Sequence, residues 1–268
     1  AYDYDPFWQR CLDLGISPAC HSGSMGIGFR RSTSTYMFNH IGHFAAAGEA
    51  FAKSLFFGGV THRFPALRIG LLEGGVHWGV GLYGDLLSRW EKRNREAIST
   101  YDPARLDAAR FEELANKYGG ALRAPDQDEG PRRPGRWAAD GPYDDFAATG
   151  VQCREDVRDR FVPNFYFGCE ADDPMTATAF DADRIPLGAS LSAMFSSDIG
   201  HWDVPDMTEV LEEAWENVER GWLDRDQFRD FTFGNVLRFY TDSNPDFFRG
   251  TIVEDAVDRA LAGQGIAR

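Results

Sequence analysis

Four places in this chain put an ionisable side chain directly after a short apolar run, and each could do chemistry. His21 closes Ile16-Ser-Pro-Ala-Cys, Glu73 closes Leu67 to Leu72, Glu170 and Asp172-Asp173 follow Asn164 to Cys169, and Asp198 follows Leu191 to Ser196. A neutral imidazole at the end of a rigid strand can present a nitrogen at metal-bonding distance, which makes His21 a candidate ligand. The competing reading is a hydrogen-bonded histidine at a loop start. Asp198 suits a divalent cation and, beside it, the role of general base toward water; an aspartate in a turn or helix cap fits the same spacing. Glu73 is followed by Gly74-Gly75, which lets backbone or substrate come close, so it is either an acid/base group or a loop carboxylate. His201, three residues past Asp198, can support a ligand or touch substrate, or can lie on the surface. His40 and His43 share a helical face but have no carboxylate near them in sequence, and read as helix-start residues.

The elements that must position these residues alternate. A helix is expected from Asp5-Pro6 to Gly15, an apolar strand to His21, an amphipathic helix through HFAAAGEAFAKSLFFGG with a stop at Gly58, and a second strand from Leu67. Helical text follows from about Gly81 to Ile98 and from Asp102-Pro103 to Tyr118. A stretch dense in Pro, Gly, Arg and Asp, about 119–150, reads as an excursion within one domain spanning 1–268. A third strand, a helix capped by Asp173-Pro174, a fourth strand, and helices near Met207 to Arg220 and Asp224 to Phe231 complete the series. Strands alternating with helices imply a parallel α/β fold with the sheet buried on both faces. Ionisable residues at every strand end suit the mouth of a (β/α)₈ barrel, and a doubly wound sheet would also bind ligands there.

Composition excludes several classes. The 268 residues are 43% hydrophobic, enough for a sizeable core. The net charge of −14 would repel phosphate backbones, so no nucleic-acid partner is expected. No apolar run approaches the ~20 residues of a membrane span, so no membrane partner is expected either. Four scattered cysteines without a C-x-x-C pair indicate neither a zinc knuckle nor a disulfide framework, and fit a cytoplasmic setting. No glycine-rich phosphate loop follows a strand.

The segments ISPACHSGS, THRFPALRIGLLEGGVHW, MFSSDIGHWD and FGNVLRFY, in this order, resemble the later half of the amidohydrolase-related family, the group containing aminocarboxymuconate-semialdehyde decarboxylase and its hydrolase and hydratase relatives. The likeness runs along nearly the whole chain, outside a stretch from about Asn94 to Pro163. It implies that the chain supplies the C-terminal half, strands five to eight, of a (β/α)₈ TIM barrel, with a long insertion after strand six. It also implies a divalent metal, zinc first and manganese or iron as alternatives, held by His21 and by Asp198 of the family's S-D-x-x-H motif, whose histidine is His201. Where the decarboxylases usually carry a histidine on strand six, this chain has Glu73. Arg30 or Arg31, after strand five, is expected to hold a substrate carboxylate. The family's H-x-H pair on strand one is absent from the chain, so a partner chain or an upstream segment is expected to complete the barrel, in an oligomeric particle.

The resulting expectation is a metal-dependent hydrolase acting on a small organic substrate, carboxylated or cyclic, with Asp198, Glu73 and His201 as its catalytic groups. Non-oxidative decarboxylation on the same metal is the alternative chemistry. A non-catalytic assembly subunit, docking through the excursion, is the alternative from another class.

Overall fold

A computed structural model describes residues 4–21, 31–102, 105–120 and 144–263. They divide into two compact units, one formed by Ala1–Leu87 with Thr149–Arg268, the other by Ser88–Ala148.

The first unit opens with helix α1 (Asp5–Asp13), where Pro6 occupies the first turn, a position in which its missing N–H costs nothing. Strand β1 (Ala19–Cys20) follows, then α2 (Tyr36–His40), α3 (His43–Phe57) and the short α4 (Val60–Arg63). The helix expected over HFAAAGEAFAKSLFF is α3, and its stop is shared between Gly58 and the left-handed Gly59, φ 70°. After β2 (Ile69–Leu71), α5 (His77–Arg93) carries the chain into the second unit. It ends before the expected Ile98 because the Asn94 side chain accepts hydrogen bonds from the amides of Glu96 and Ala97 and turns the chain into a short 3₁₀ helix, Ala97–Tyr101. Within the second unit α6 (Ala108–Tyr118) begins at Asp107, whose carboxylate caps the amide of Arg110. Most of the expected excursion, 121–143, lies outside the described residues.

Back in the first unit come α7 (Arg154–Phe161), β3 (Phe165–Glu170), 3₁₀ turns over Pro174–Phe180 and Pro186–Gly188, and β4 (Ser192–Ser196). The Asp173-Pro174 cap forms as expected, Asp173 accepting from the Met175 amide, but it opens a 3₁₀ helix and not an α-helix. Then follow α8 (Val210–Glu219), α9 (Arg225–Arg229), a π-helical turn at Asp230–Gly234, α10 (Asn235–Thr241) and α11 (Glu254–Gly263).

The four strands form one parallel sheet in the order β1-β2-β3-β4. The register runs Ala19 to Gly70 to Tyr166 to Ser192, and Cys20 to Leu71 to Phe167 to Ala193. Every residue from Phe165 to Cys169 is buried, the signature of a strand covered on both faces. Alternate residues look opposite ways. On one side Phe165 and Phe167 meet an aromatic layer, in which Phe161 of α7 lies 5.0 Å from Phe165, stacks with Tyr83 of α5 at 5.8 Å and touches Phe56 of α3 at 6.3 Å. On the other side Tyr166 and Met194 pack with Phe239 of α10, ring centroids of Tyr166 and Phe239 being 5.2 Å apart. Gly79 is required by this packing: a Cβ there would lie 2.4 Å from the Phe167 ring, so only glycine lets α5 approach β3 this closely. Because all four strands run the same way, His21, Glu73, Glu170 and Asp198 emerge at one edge of the sheet, the C-terminal ends of the strands.

Candidate metal centre

Glu73 and Asp198 organise this edge. Both leave their strands with left-handed backbone, φ 58° and 48°, a region costing about 1–3 kcal/mol for a residue with a side chain and tolerated mainly at functional sites. The glycine pair after Glu73 has a packing reason: a Cβ on Gly74 would meet the Trp78 indole nitrogen at 2.9 Å and Ala45 at 3.1 Å, and Gly75 has φ 65°. This tight turn lies against α3 and holds Glu73 over the end of β3.

Neighbouring strands are about 4.8 Å apart, so β2 and β4 are separated by about 10 Å. Their carboxylates nevertheless meet. One ligating atom from each of Glu73, Asp198 and His201 lies within 4.8 Å of the other two. His201 Nδ1 is 2.8 Å from Asp198 Oδ2 and 3.6 Å from Glu73 Oε1, and Glu73 Oε2 is 2.7 Å from His21 Nε2. The two carboxylate side chains are only 8% and 11% exposed, so water screens them poorly. Desolvation, and then a hydrogen bond to Asp198 with that group's like charge, raise the pKa of Glu73 against the opposing pull of His21 and His201. Glu170, at the end of β3, is raised to about 7, by partial burial and then by the charges of Asp172, Asp198, Asp203 and Glu73.

The donor set fits a divalent cation. Two carboxylates and an imidazole are the oxygen and nitrogen ligands that zinc, manganese or iron accept, and three protein ligands leave a position open. Glu73 Oε2 is shielded from solvent and, close as it is to His21, is not aligned for a hydrogen bond, leaving a buried acceptor that a cation would satisfy. His21 stands outside the group of three and joins it through Glu73. The sequence reading made His21 a ligand and Glu73 an acid/base group; the geometry brings Glu73 among the donors and sets His21 one contact away. Arg31 is exposed and does not line the cavity, and Arg30 lies outside the described residues.

A cavity of about 310 Å³ opens over these groups. Its second wall comes from α2 and α3, whose histidines the sequence reading assigned to helix starts. His43, buried, donates from Nδ1 to the carbonyl oxygen of His40. His40 Nε2 faces Asp203 at 3.7 Å, supplying from 163 residues away the carboxylate that was missing nearby in sequence, and His40 Nδ1 is buried without a partner. Tyr36 stacks on His40 at 5.4 Å, and Trp202 lies 5.9 Å from both rings. Tyr36 and His40 are four residues apart on α2, a spacing that puts them on one face, whereas His43 opens α3 after a break at Ile41 and the left-handed Gly42, φ 75°.

No family model matches the chain, and no curated protein matches it.

Proposed function

We propose that this protein is a metal-dependent hydrolase of the amidohydrolase type, acting on a small organic substrate held in the cavity above Glu73, Asp198 and His201. The observation that carries the reading is the convergence of these three donors, from the ends of β2 and β4, around a buried carboxylate oxygen lacking an aligned donor. Glu73, Asp198 and His201 would hold a zinc, manganese or iron ion, with His21 orienting Glu73. When bound, such a cation supplies Lewis acidity toward a substrate oxygen or a water molecule.

The chain's own groups account for the protons. Asp198 accepts the proton of the attacking water, and His201, 2.8 Å away, keeps that carboxylate oriented. Glu170 lines the same cavity and retains a proton near neutrality, so it is suited to return one to the leaving group.

The same reading takes the sheet as half of a (β/α)₈ barrel. Each strand pairs with the next in sequence, without the reversal of order that marks a doubly wound sheet. The outer edges of β1 and β4 have no strand partner among the described residues, and four further strands, from a partner chain or a preceding segment carrying an H-x-H pair, would close them. The deciding experiment offers esters, amides and lactones to the protein after dialysis against a chelator and reloading with zinc or manganese, and weighs the products. Metal-dependent products that have gained the elements of water support the reading. Loss of carbon dioxide assigns decarboxylation instead, and protein that takes up no metal favours the assembly subunit.

A further inference from the structure

The wall facing the metal centre has its own chemistry. Tyr36 and Trp202 stand at 76° to one another with ring centroids 5.9 Å apart, forming an aromatic corner. Both rings are open to solvent, at 51% and 64% exposure, so neither is used up in the core. Phe44 adds a third ring, 5.3 Å from His21 and 5.9 Å from His40. Asp203 stands beside this corner, 3.7 Å from His40, and Glu170 lines the cavity too. No lysine or arginine is among the described residues lining it, and the chain as a whole carries −14. A divalent ion would offset Glu73 and Asp198, while Asp203, with His40 beside it, and Glu170 remain as further carboxylates on the lining. Aromatic faces with an adjacent carboxylate form the environment in which ammonium groups, alkylated ones above all, are recognised, because the negative face of each ring attracts a cation that sheds its water at little cost.

We infer that the substrate carries an organic cation, an ammonium or alkylated ammonium group seated in the corner of Tyr36 and Trp202 against Asp203, which directs the bond to be broken toward Glu73, Asp198 and His201. This rests on the hydrolase reading and names its substrate class. It differs from the carboxylated substrate expected from the sequence, for which the described lining offers histidines but no lysine or arginine.

The probe is choline, titrated calorimetrically into the full chain, both zinc-loaded and chelator-treated, alongside 3,3-dimethylbutan-1-ol, which has the same shape without the charge, and benzoate as an anion. Choline should bind about tenfold more tightly than its neutral isostere, the size expected of a cation–π and carboxylate contact. Trp202→Leu and Asp203→Asn should each weaken choline about five- to tenfold and leave the neutral alcohol unchanged; Trp202 is exposed enough for the variant to fold, and Tyr36→Leu repeats the test on the second wall. Equal binding of choline and the alcohol, tighter binding of benzoate, the absence of saturable choline binding, or indifference to both aromatic variants would each overturn the inference. Zinc content measured on the same samples keeps the two readings apart. Zinc-loaded protein without cation preference defeats only this inference, and cation preference in protein that refuses zinc defeats only the metal centre.

Discussion

Glu73 and Asp198 leave strands separated by a third, both with left-handed backbone, and bring carboxylate oxygens within 4.8 Å of one another. Burial and the nearby Asp198 carboxylate raise the pKa of Glu73, so the charged pair works against the metal-free fold and in favour of a bound cation. Glu73→Gln removes one charge and keeps the shape. It should raise the melting temperature of metal-free protein by about 2 °C or more, and abolish most of the further rise that zinc or manganese gives the wild type. Scanning fluorimetry with and without metal checks both effects. A variant that still gains the full metal-induced rise would remove Glu73 from the donor set.

The same crowding fixes the sign of a pH effect. The folded state holds the Glu170 proton up to about 7, well above the ordinary glutamate range near 4.3 in an unfolded chain. Between those values the native state binds more protons, so this group's contribution to stability is full below the ordinary range and is lost as pH rises through about 7. Glu73 acts in the same direction. Melting temperatures in chelator should therefore fall from pH 5 to 8, and Glu170→Gln should flatten the slope. Metal affinity should run the opposite way, rising with pH, because the cation competes with protons for the carboxylates. A slope unchanged in Glu170→Gln would show that the carboxylates at the strand ends are not coupled.

How much of this was legible in the sequence depends on the element. The strands were, because β2 and β3 are short apolar runs buried on both faces and β4 is a short run with a buried centre, and the residue closing each run stands out as polar. Observed ends shift by a few residues: β1 is only Ala19–Cys20, within the expected Ile16 to His21. Helix α7 was missed because REDVRDRF buries only Val157 and Phe161, too few apolar positions to show a period. In α10, the buried Asn235 and Thr241 blur the stripe that Leu237 and Phe239 would otherwise define. At the site, Glu73, Asp198 and His201 were legible as strand-end groups. The pairing of His40 with Asp203 was not, since their proximity depends on how the loop after β4 meets α2, which no local pattern encodes.

The approach of α5 to β3 gives a stability prediction independent of function. Gly79→Ala would force its methyl group into the Phe167 ring and should cost about 1–3 kcal/mol, the usual range for overpacking. Phe167→Ala, which empties the centre of the aromatic layer, should cost about 3–5 kcal/mol. Urea unfolding measures both, and a neutral Gly79→Ala would show that α5 and β3 are farther apart than described.

The edges of β1 and β4, which have no strand partner among the described residues, predict that a closed barrel would draw its further strands from additional polypeptide. Native mass spectrometry on protein isolated from its source should find an additional segment or chain. A stable monomer of this chain alone would exclude a barrel closed by other strands.

The central claim is a divalent-metal centre built on Glu73, Asp198 and His201, and the most direct measurement is the metal content of purified protein by plasma mass spectrometry, for the wild type and for Asp198→Asn. Asparagine tolerates the left-handed backbone at this position, so the variant should fold while losing a charged ligand. The account predicts close to one zinc, manganese or iron per wild-type chain and at least a tenfold lower occupancy in Asp198→Asn under limiting metal, the loss expected when a ligating carboxylate is neutralised. Wild-type protein that stays metal-free after reloading, or equal occupancy in folded Asp198→Asn, would contradict it.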